Sequence, residues 1–433
     1  MSWTRRDFVA AGIAAGSLAR AGANDRIRVG IIGNGGRSRD HIAELTRIPG
    51  VEIAAVADPD DTLTMEKSAA IDKLTGHAPS RQRDLRRILD DKNIDAVTIA
   101  CCNHWHALAA IWALQAGKHV YVEKPVCHDL FSGMQMVAAS RRYGRMAQGG
   151  TQRRSNEYIR RAFRALRDGV IGDVYMARCI HFQDRPSLGF RQPQAPPTTL
   201  DWDLWLGPAR QQEYHANLHP YNWHWFWDFG NGELGNNGVH FIDLARWGLN
   251  RRWPSKITST GGRFGYHDQG QTPNTQLTTY QFEDGVQLVV EIRNRYTNRE
   301  QDLSSGVIFY GSKGYMISEH DRACYEVYLE GSKTPGPVYS AADDPERIDD
   351  RKSTGAHFRN FFSAVRSGNR ESLNADIEET FLSTGYCLLG NIAFRRGHQI
   401  RVDPATGNIT GDVEAARMAR DVCREAFKVP DRV

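Results

Sequence analysis

Arg26 to Ile32 (RIRVGII) runs directly into Gly33-Asn34-Gly35-Gly36-Arg37-Ser38, and then into a helical pattern at Ile42, Leu45 and Ile48. The first run is short, apolar and β-branched, and reads as a buried strand. The turn is G-x-G-x-x-G with Ser38 at the third glycine, where a small residue still permits close packing of helix on strand. Glycines in this turn let backbone N–H groups approach a pyrophosphate at the start of a helix. A glycine turn alone is weak, but a strand before it and a helix after it are the context the motif requires. A second strand, Val51 to Ala57, ends in Asp58. An acidic residue about 20 positions past such a turn sits at the adenosine ribose hydroxyls. A carboxylate there repels a ribose phosphate, which favours NAD over NADP. The competing reading of Asp58 is a turn residue before Pro59.

The alternation of strand and helix continues. Leu85 to Leu89 is helical and Ala96 to Ala100 is a strand, followed by Asn103-His104-Trp105-His106 at a capped helix start. Ile111 to Ala116 is helical. His119 to Val122 is a strand that delivers Glu123-Lys124-Pro125, and Met134 to Tyr143 is helical. The reading is an α/β fold whose first part is a six-stranded parallel sheet with helices on both faces. Asn103, His104, Trp105 and His106 fall at the carboxyl end of a strand, where such sheets bind ligands. Together with Gly33 to Ser38, Asp58, Glu123 and Lys124 they are the candidate cofactor contacts. His104 and His106 as a metal pair lack a third ligand, so no metal site is assigned.

At 433 residues the chain exceeds the usual single core, so two domains are expected. The boundaries read as 24–150 for the dinucleotide half and 151–433 for the second. A formal net charge of +4, with no block of like charge, excludes a nucleic-acid arm. Seven scattered Cys, none in a C-x-x-C pair, suggest neither a disulfide framework nor a zinc site.

Residues 1–23 read as a transport signal. Arg5 and Arg6 precede Phe8, a weakly apolar run follows from Val9 to Ala19, and small-x-small cleavage sites follow that. The run is too short to anchor stably in a bilayer. The arginine pair with Phe8 resembles a twin-arginine signal, with Thr4 and Val9 as mild departures. Export of an already folded protein to the periplasm is the expectation, and unpaired Cys fit folding in a reducing compartment.

The stretch Tyr221 to Asp243 (YNWHWFWDFGNGELGNNGVHFID) is dense in aromatics, then in glycine, then carries His240. Aromatic faces, a Gly-rich turn and a titratable His suit a pocket for a flat polar ligand such as a sugar. The competing reading is aromatic core followed by the first turn of a helix. Read as a strand, Tyr221, Trp223, Trp225 and Trp227 share one face, with His224 and Phe226 on the other.

GNGGRS after the first strand, NHWHALAAIWALQAGKHVYVEKP at 103–125 and GxLxNxGxHxxD at 232–243 together resemble the Gfo/Idh/MocA family. That family includes glucose–fructose oxidoreductase and inositol dehydrogenase. DWDLWLGP at 201–208, FYGSKG at 309–314, HFRNFFSAVRSG at 357–368 and LLGNIAFRRG at 388–397 extend the likeness over the mature chain. The resemblance implies a Rossmann domain followed by an α/β domain with a large open, mostly antiparallel sheet. Asp173 to Phe182, Lys256 to Arg263, Thr275 to Phe282 and Val286 to Arg293 have the matching strand character. Family members commonly pair through that sheet, so a homo-oligomer is expected.

By the same resemblance Lys124 lies beside the nicotinamide and the reacting hydroxyl, and His240 is a general acid/base. The family usually places an acidic residue four positions before the His; here it is Asn236. That departure leaves Lys124 without this neighbouring carboxylate and pushes it toward its neutral form. Tyr221, Trp223, His224, Trp225, Asp243 and Arg153 are the substrate-side candidates, with Gln152 and Arg154 nearby. The implied function is oxidation of a sugar hydroxyl by a retained NAD. A redox-neutral glycosidase, working by oxidation, elimination, water addition and re-reduction, is the alternative. Both start with a Lys- and His-assisted hydride step.

Overall fold

The computed structural model describes residues 26–295, 299–300, 303–319, 324–340 and 353–433; the segment read as a transport signal lies outside them. Six strands form the first sheet: β1 (Ile27–Ile32), β2 (Val51–Ala57), β3 (Ser80–Gln82), β4 (Ala96–Ile99), β5 (His119–Val122) and β6 (Ala147–Gly149). All pairs are parallel, in the order β3-β2-β1-β4-β5-β6. The order reverses direction between β1 and β4. Their carboxyl ends therefore splay into a crevice. The connecting helices are α1 (Ser38–Leu45), α2 (Asp61–Thr75), α3 (Arg86–Asp90), α4 (Asn103–Gln115) and α5 (Leu130–Arg142). The central strands read as continuous apolar runs because both faces are covered.

The second sheet has ten strands. They are β7 (Val174–Phe182), β8 (Lys256–Gly262), β9 (Thr275–Gln281), β10 (Gln287–Arg293), β11 (Ser305–Gly311), β12 (Gly314–Glu319), β13 (Cys324–Leu329), β14 (Val338–Ser340), β15 (Ile400–Val402) and β16 (Ile409–Thr410). The order is β14-β13-β12-β11-β7-β10-β9-β8-β15-β16. Only β7 with β10 is parallel; the other pairs are antiparallel. Three long helices fill its inner side: α6 (Glu157–Arg167), α7 (Val239–Leu249) and, further on, the 20-residue helix Ile377–Arg396.

The first domain gains one element from far beyond residue 150. Thr354–Ser367, here α8, returns to the first domain. Its Phe358, Phe361 and Phe362 are fully buried against Val29, Ile31 and Leu45. Positions i, i+3 and i+4 lie on one helix face, so these rings make one apolar stripe. The dinucleotide domain is thus completed by a helix that the chain reaches some 200 residues later. Among the described residues no helix is long and apolar enough to cross a membrane.

Candidate active site

A cavity opens where the strand order reverses. One wall is the glycine turn (Gly33, Gly35, Gly36, Arg37), followed by Asp58 at the end of β2. Gly33 has φ +86°, and a Cβ there would lie 2.5 Å from the Cys101 backbone nitrogen. The turn can approach β4 only because this residue is Gly. A Cβ on Gly35 would meet nothing within 4 Å, so the turn stands open toward the cavity. That open backbone at the head of α1 fits a pyrophosphate.

Asn34 and Ser38 support the turn rather than line the cavity. The Asn34 N–H donates to the Asp58 carboxylate at 2.7 Å, and the Ser38 hydroxyl donates to the Gly35 carbonyl at 2.7 Å. Asp58 also accepts from the Asp60 N–H at 2.9 Å. Burial raises its carboxyl to about 6, against the lowering effect of those two N–H groups. Held this way, Asp58 lines the cavity at the end of β2, the position from which such folds take ribose hydroxyls.

The cavity floor comes from β4 and β5. Asn103, Trp105, His106, Glu123 and Lys124 line it. His104 does not. It turns the other way, its Nε2 3.2 Å from the Trp205 carbonyl, and lines a separate cavity with His128 and Asp129. The reason is helical geometry: one residue along α4 rotates a side chain by about 100°. His106 spans the carbonyls of Pro125 (2.7 Å) and Cys101 (3.0 Å), tying the ends of β5 and β4 together. Glu123 Oε1 is held by Arg37 at 2.8 Å, His41 at 3.0 Å and Gln152 at 3.0 Å. These partners overcome its burial and keep its carboxyl well below the usual range.

Lys124 is half-buried, and its Nζ donates to the Asn236 carbonyl at 2.7 Å. The acceptor belongs to a π-helical turn, Leu234–Gly238, that opens α7. Such a turn shifts carbonyls out of α register and is common at functional sites. Burial lowers the Lys124 amine to about 8; Glu123 and Glu233 pull it up, while Arg37 and Arg153 push it down. Asn236 does leave position 236 without the family's carboxylate, and the charges that raise the Lys124 amine are instead Glu123 and, three residues before Asn236, Glu233. It is 1% exposed and accepts from the amides of Asn236 (3.3 Å) and Asn237. The helix brings 233 beneath 236 and 237, because residues three and four apart are neighbours.

His240 lies in the first turn of α7, half-buried, one turn beyond Asn236; it does not line the cavity. Asp243 is no substrate contact. It is 1% exposed and takes Arg154 through Nε (2.9 Å) and Nη2 (2.8 Å) and the Ser383 hydroxyl (2.7 Å). Facing inward on α7, it has no route to the cavity. Arg153 stands 4.3 Å over the Phe241 ring, close enough to act on Lys124, but outside the cavity wall.

The aromatic stretch is not a strand. Asn222–Trp225 is a 3₁₀ turn, so Trp223 and Trp225 do not share a face with Tyr221 by alternation. Trp225, Phe226 and Phe229 are core, packed with Trp205, Leu206 and Leu218. Each ring of this size removes about 150–250 Å² from water, which at about 25 cal/mol per Å² is roughly 4–6 kcal/mol. That gain makes residues 183–231 a packed strap instead of a loose loop. Tyr221 (49% exposed), Trp223 and His224 line the cavity, with His224 stacked 3.6 Å from Trp223. Trp225 does not.

Sequence reasoning missed how the strap closes over the cofactor end. Leu200 bridges Asp60, the Asp61 N–H donates to Thr199 (3.0 Å), and the Asp201 N–H donates to Pro59 (2.9 Å). Trp205, His219 and Pro220 then face the glycine turn across the cavity. Trp105 donates to the Leu204 and Trp205 carbonyls, and its indole is so close to Gly207 that no Cβ fits there. Arg424 locks the far side through the Gly207 carbonyl at 2.7 Å. DWDLWLGP was the signal; nothing in it announced a partner in the β2–α2 turn.

Two family models match the chain: "Oxidoreductase family, NAD-binding Rossmann fold" over residues 27–151, and "Oxidoreductase family, C-terminal alpha/beta domain" over 188–429. Inositol 2-dehydrogenase 1 of Saccharopolyspora erythraea is 33% identical over 176 residues, covering 40% of this chain and 50% of that protein. Inositol 2-dehydrogenase 2 of the same organism is 28% identical over 268 residues, covering 61% and 66%. The chain thus spans half to just under two thirds of these relatives' length. In fold it is similar to levoglucosan dehydrogenase solved with NADH and L-sorbose (TM-score 0.68, 19% identity, 88% of this chain and 99% of that one). It is also similar to the WlbA dehydrogenase of Bordetella pertussis solved with NADH and UDP-GlcNAcA (TM-score 0.64, 20% identity, 87% and 99%). With both domains matched, the chain belongs to the Gfo/Idh/MocA oxidoreductase family, with an NAD-binding Rossmann domain at residues 27–151.

Proposed function

We propose that the protein oxidises a hydroxyl of a sugar or sugar derivative with an NAD that stays bound through the cycle. Lys124 carries this reading: a half-buried amine brought down to about 8, on the floor of the cavity that begins at the glycine turn. An amine near neutrality is suited to take the O–H proton as hydride leaves the same carbon. NAD supplies the hydride acceptor. The Asn236 carbonyl aims Lys124, and His240, one turn on and outside the cavity wall, serves as a proton relay without touching the substrate. Tyr221 and His224 present a hydroxyl, an imidazole and two ring faces to the sugar. The dehydrogenase names of the curated relatives agree with this reading.

Retention is supported by the strap, which covers the cofactor end with backbone hydrogen bonds to Pro59 and Asp61. A cofactor that does not leave must be reoxidised in place, by a second substrate or by the same one. The latter favours the glycosidase as second reading: oxidation acidifies the adjacent C–H, the aglycone is eliminated, water adds, and the ketone is reduced again. Oligomerisation is proposed through the outer side of the ten-stranded sheet, where Tyr310, Tyr315 and Ile317 are only partly buried over a small apolar cluster.

Purified protein given free sugars and aryl glycosides without added NAD tests these readings. One nucleotide per chain, in a multimer by light scattering, is expected, with reduction of that nucleotide by a sugar. Aglycone release identifies the glycosidase. Free exchange with stoichiometric NADH from added NAD overturns retention, and failure of every sugar to reduce the nucleotide overturns the activity.

Export rests on residues 1–23, which we propose act as a twin-arginine signal. Arg5→Lys with Arg6→Lys is expected to hold the protein in the cytoplasm in cell fractionation; unchanged secretion refutes that signal.

A further inference from the structure

Asn103 is on the cavity floor, and half of its amide is already in use. Its Nδ2 donates to Asn231 Oδ1 at 2.9 Å, and its Oδ1 accepts from no described residue. Asn231 is buried and stands behind the cavity, outside its wall. Its Nδ2 donates to the His128 carbonyl at 3.2 Å. Its own backbone carbonyl accepts from Asn391 Nδ2 at 2.8 Å and from the Gly235 N–H at 3.2 Å. Gly235 precedes Asn236, whose carbonyl holds Lys124. One segment thus seats both the Asn103 amide and the acceptor of Lys124.

The polarity of this chain of amides is set at one end. A backbone carbonyl can only accept, so the Asn231 atom that faces His128 is the N–H donor. Asn231 then turns its oxygen to Asn103, and Asn103 answers with its own NH2. Asn103 Oδ1 is left for the cavity. Turning Asn103 over sets two oxygens face to face. Turning Asn231 over sets its oxygen against the His128 carbonyl and two NH2 groups against each other. Either change loses hydrogen bonds in a buried place, where unpaired polar groups are costly.

We propose that Asn231 is a positioning residue: it carries the fixed polarity of the His128 carbonyl to Asn103, so that Asn103 offers an acceptor, and not a donor, to a hydroxyl in the cavity. That hydroxyl belongs to a ribose of the bound nucleotide or to the sugar, and the proposal rests on the sugar-oxidising reading above.

The test uses the nucleotide-loaded protein and two readouts: the rate at which the nucleotide leaves, and the KM and kcat for the sugar that reduces it. Asn231→Leu keeps the volume and removes the relay. It is expected to worsen one readout by about 3–10-fold, the net worth of a hydrogen bond. Faster nucleotide release places the hydroxyl on the ribose, and a raised KM places it on the sugar. Asn231→Asp keeps an acceptor toward Asn103 in either protonation state and is expected to restore most of the loss. In an Asn103→Ala background, Asn231→Leu is expected to change neither readout further, because it acts through Asn103. Circular dichroism checks folding, and Asn231→Ala replaces the Leu variant in the same cycle if that variant does not fold. Both readouts unchanged by Asn231→Leu overturn the proposal. So does an Asp variant as impaired as Leu. Losses from Asn231→Leu and Asn103→Ala that multiply show a merely structural Asn231 and overturn it too. If no sugar reduces the nucleotide, the sugar-oxidising reading falls alone, and nucleotide release decides the relay.

Discussion

Replacing Lys124 by Met is expected to lower turnover by about 10²–10⁴-fold, the range for loss of a general base, with the nucleotide still bound. The glycine turn and Asp58, the proposed phosphate and ribose contacts, come from the ends of β1 and β2, and Lys124 from the end of β5, so one substitution does not dismantle the other. The pH profile is the sharper readout. Lys124 must be unprotonated to take the hydroxyl proton, and its amine is lowered to about 8. Oxidation is therefore expected to rise with pH up to about 8 and level off above it. Ketone reduction needs the protonated amine and runs the other way. Lys124→Arg, which stays charged, matches Met and not the native protein. Glu233→Gln removes a carboxylate that raises the amine, so the inflection moves to lower pH. A Met variant that keeps the inflection near 8 shows the base is another group.

Asp243→Ala is expected to cost about 3–5 kcal/mol of stability, as breaking a buried ion pair does. Arg154 stays behind, 4% exposed, with its Nε and Nη2 partner gone and only Glu379 at 3.3 Å. Arg154→Met with Asp243→Leu together is expected to recover most of the loss, because no buried charge remains. Chemical denaturation of the three variants measures this. A substrate role for Asp243 predicts the opposite pattern: a weakened KM with an unchanged denaturation midpoint.

Much of this site lay open in the sequence because local rules govern it. The turn after β1 needs glycine where the backbone nears β4, and Asp58 must close β2, so spacing alone located both. The order of strand and helix dictated the parallel sheet and hence the carboxyl ends that bear Asn103, Glu123 and Lys124. Local rules also misled. Alternating Trp in WHWFW reads as a strand face, yet the segment is a 3₁₀ turn whose rings pack inward on Trp205. Asp243 has the look of a site residue because it follows His240, but a helix turns it away onto Arg154.

What the chain by itself determined is the dinucleotide half: a short-range pattern of strand, glycine turn and acidic cap whose chemistry is set within a few residues. What only the tertiary structure decided is everything that crosses between distant segments. Leu200 lies on Asp60, Phe358 fills the first domain, and Glu233 acts electrostatically on Lys124 from three residues before Asn236. The physical reason is that burial and charge depend on what lies alongside in space. Coulomb attraction is set by the distance between charges and the medium between them, so a carboxylate at 233 can act on Lys124 although its place in the chain is not the expected one.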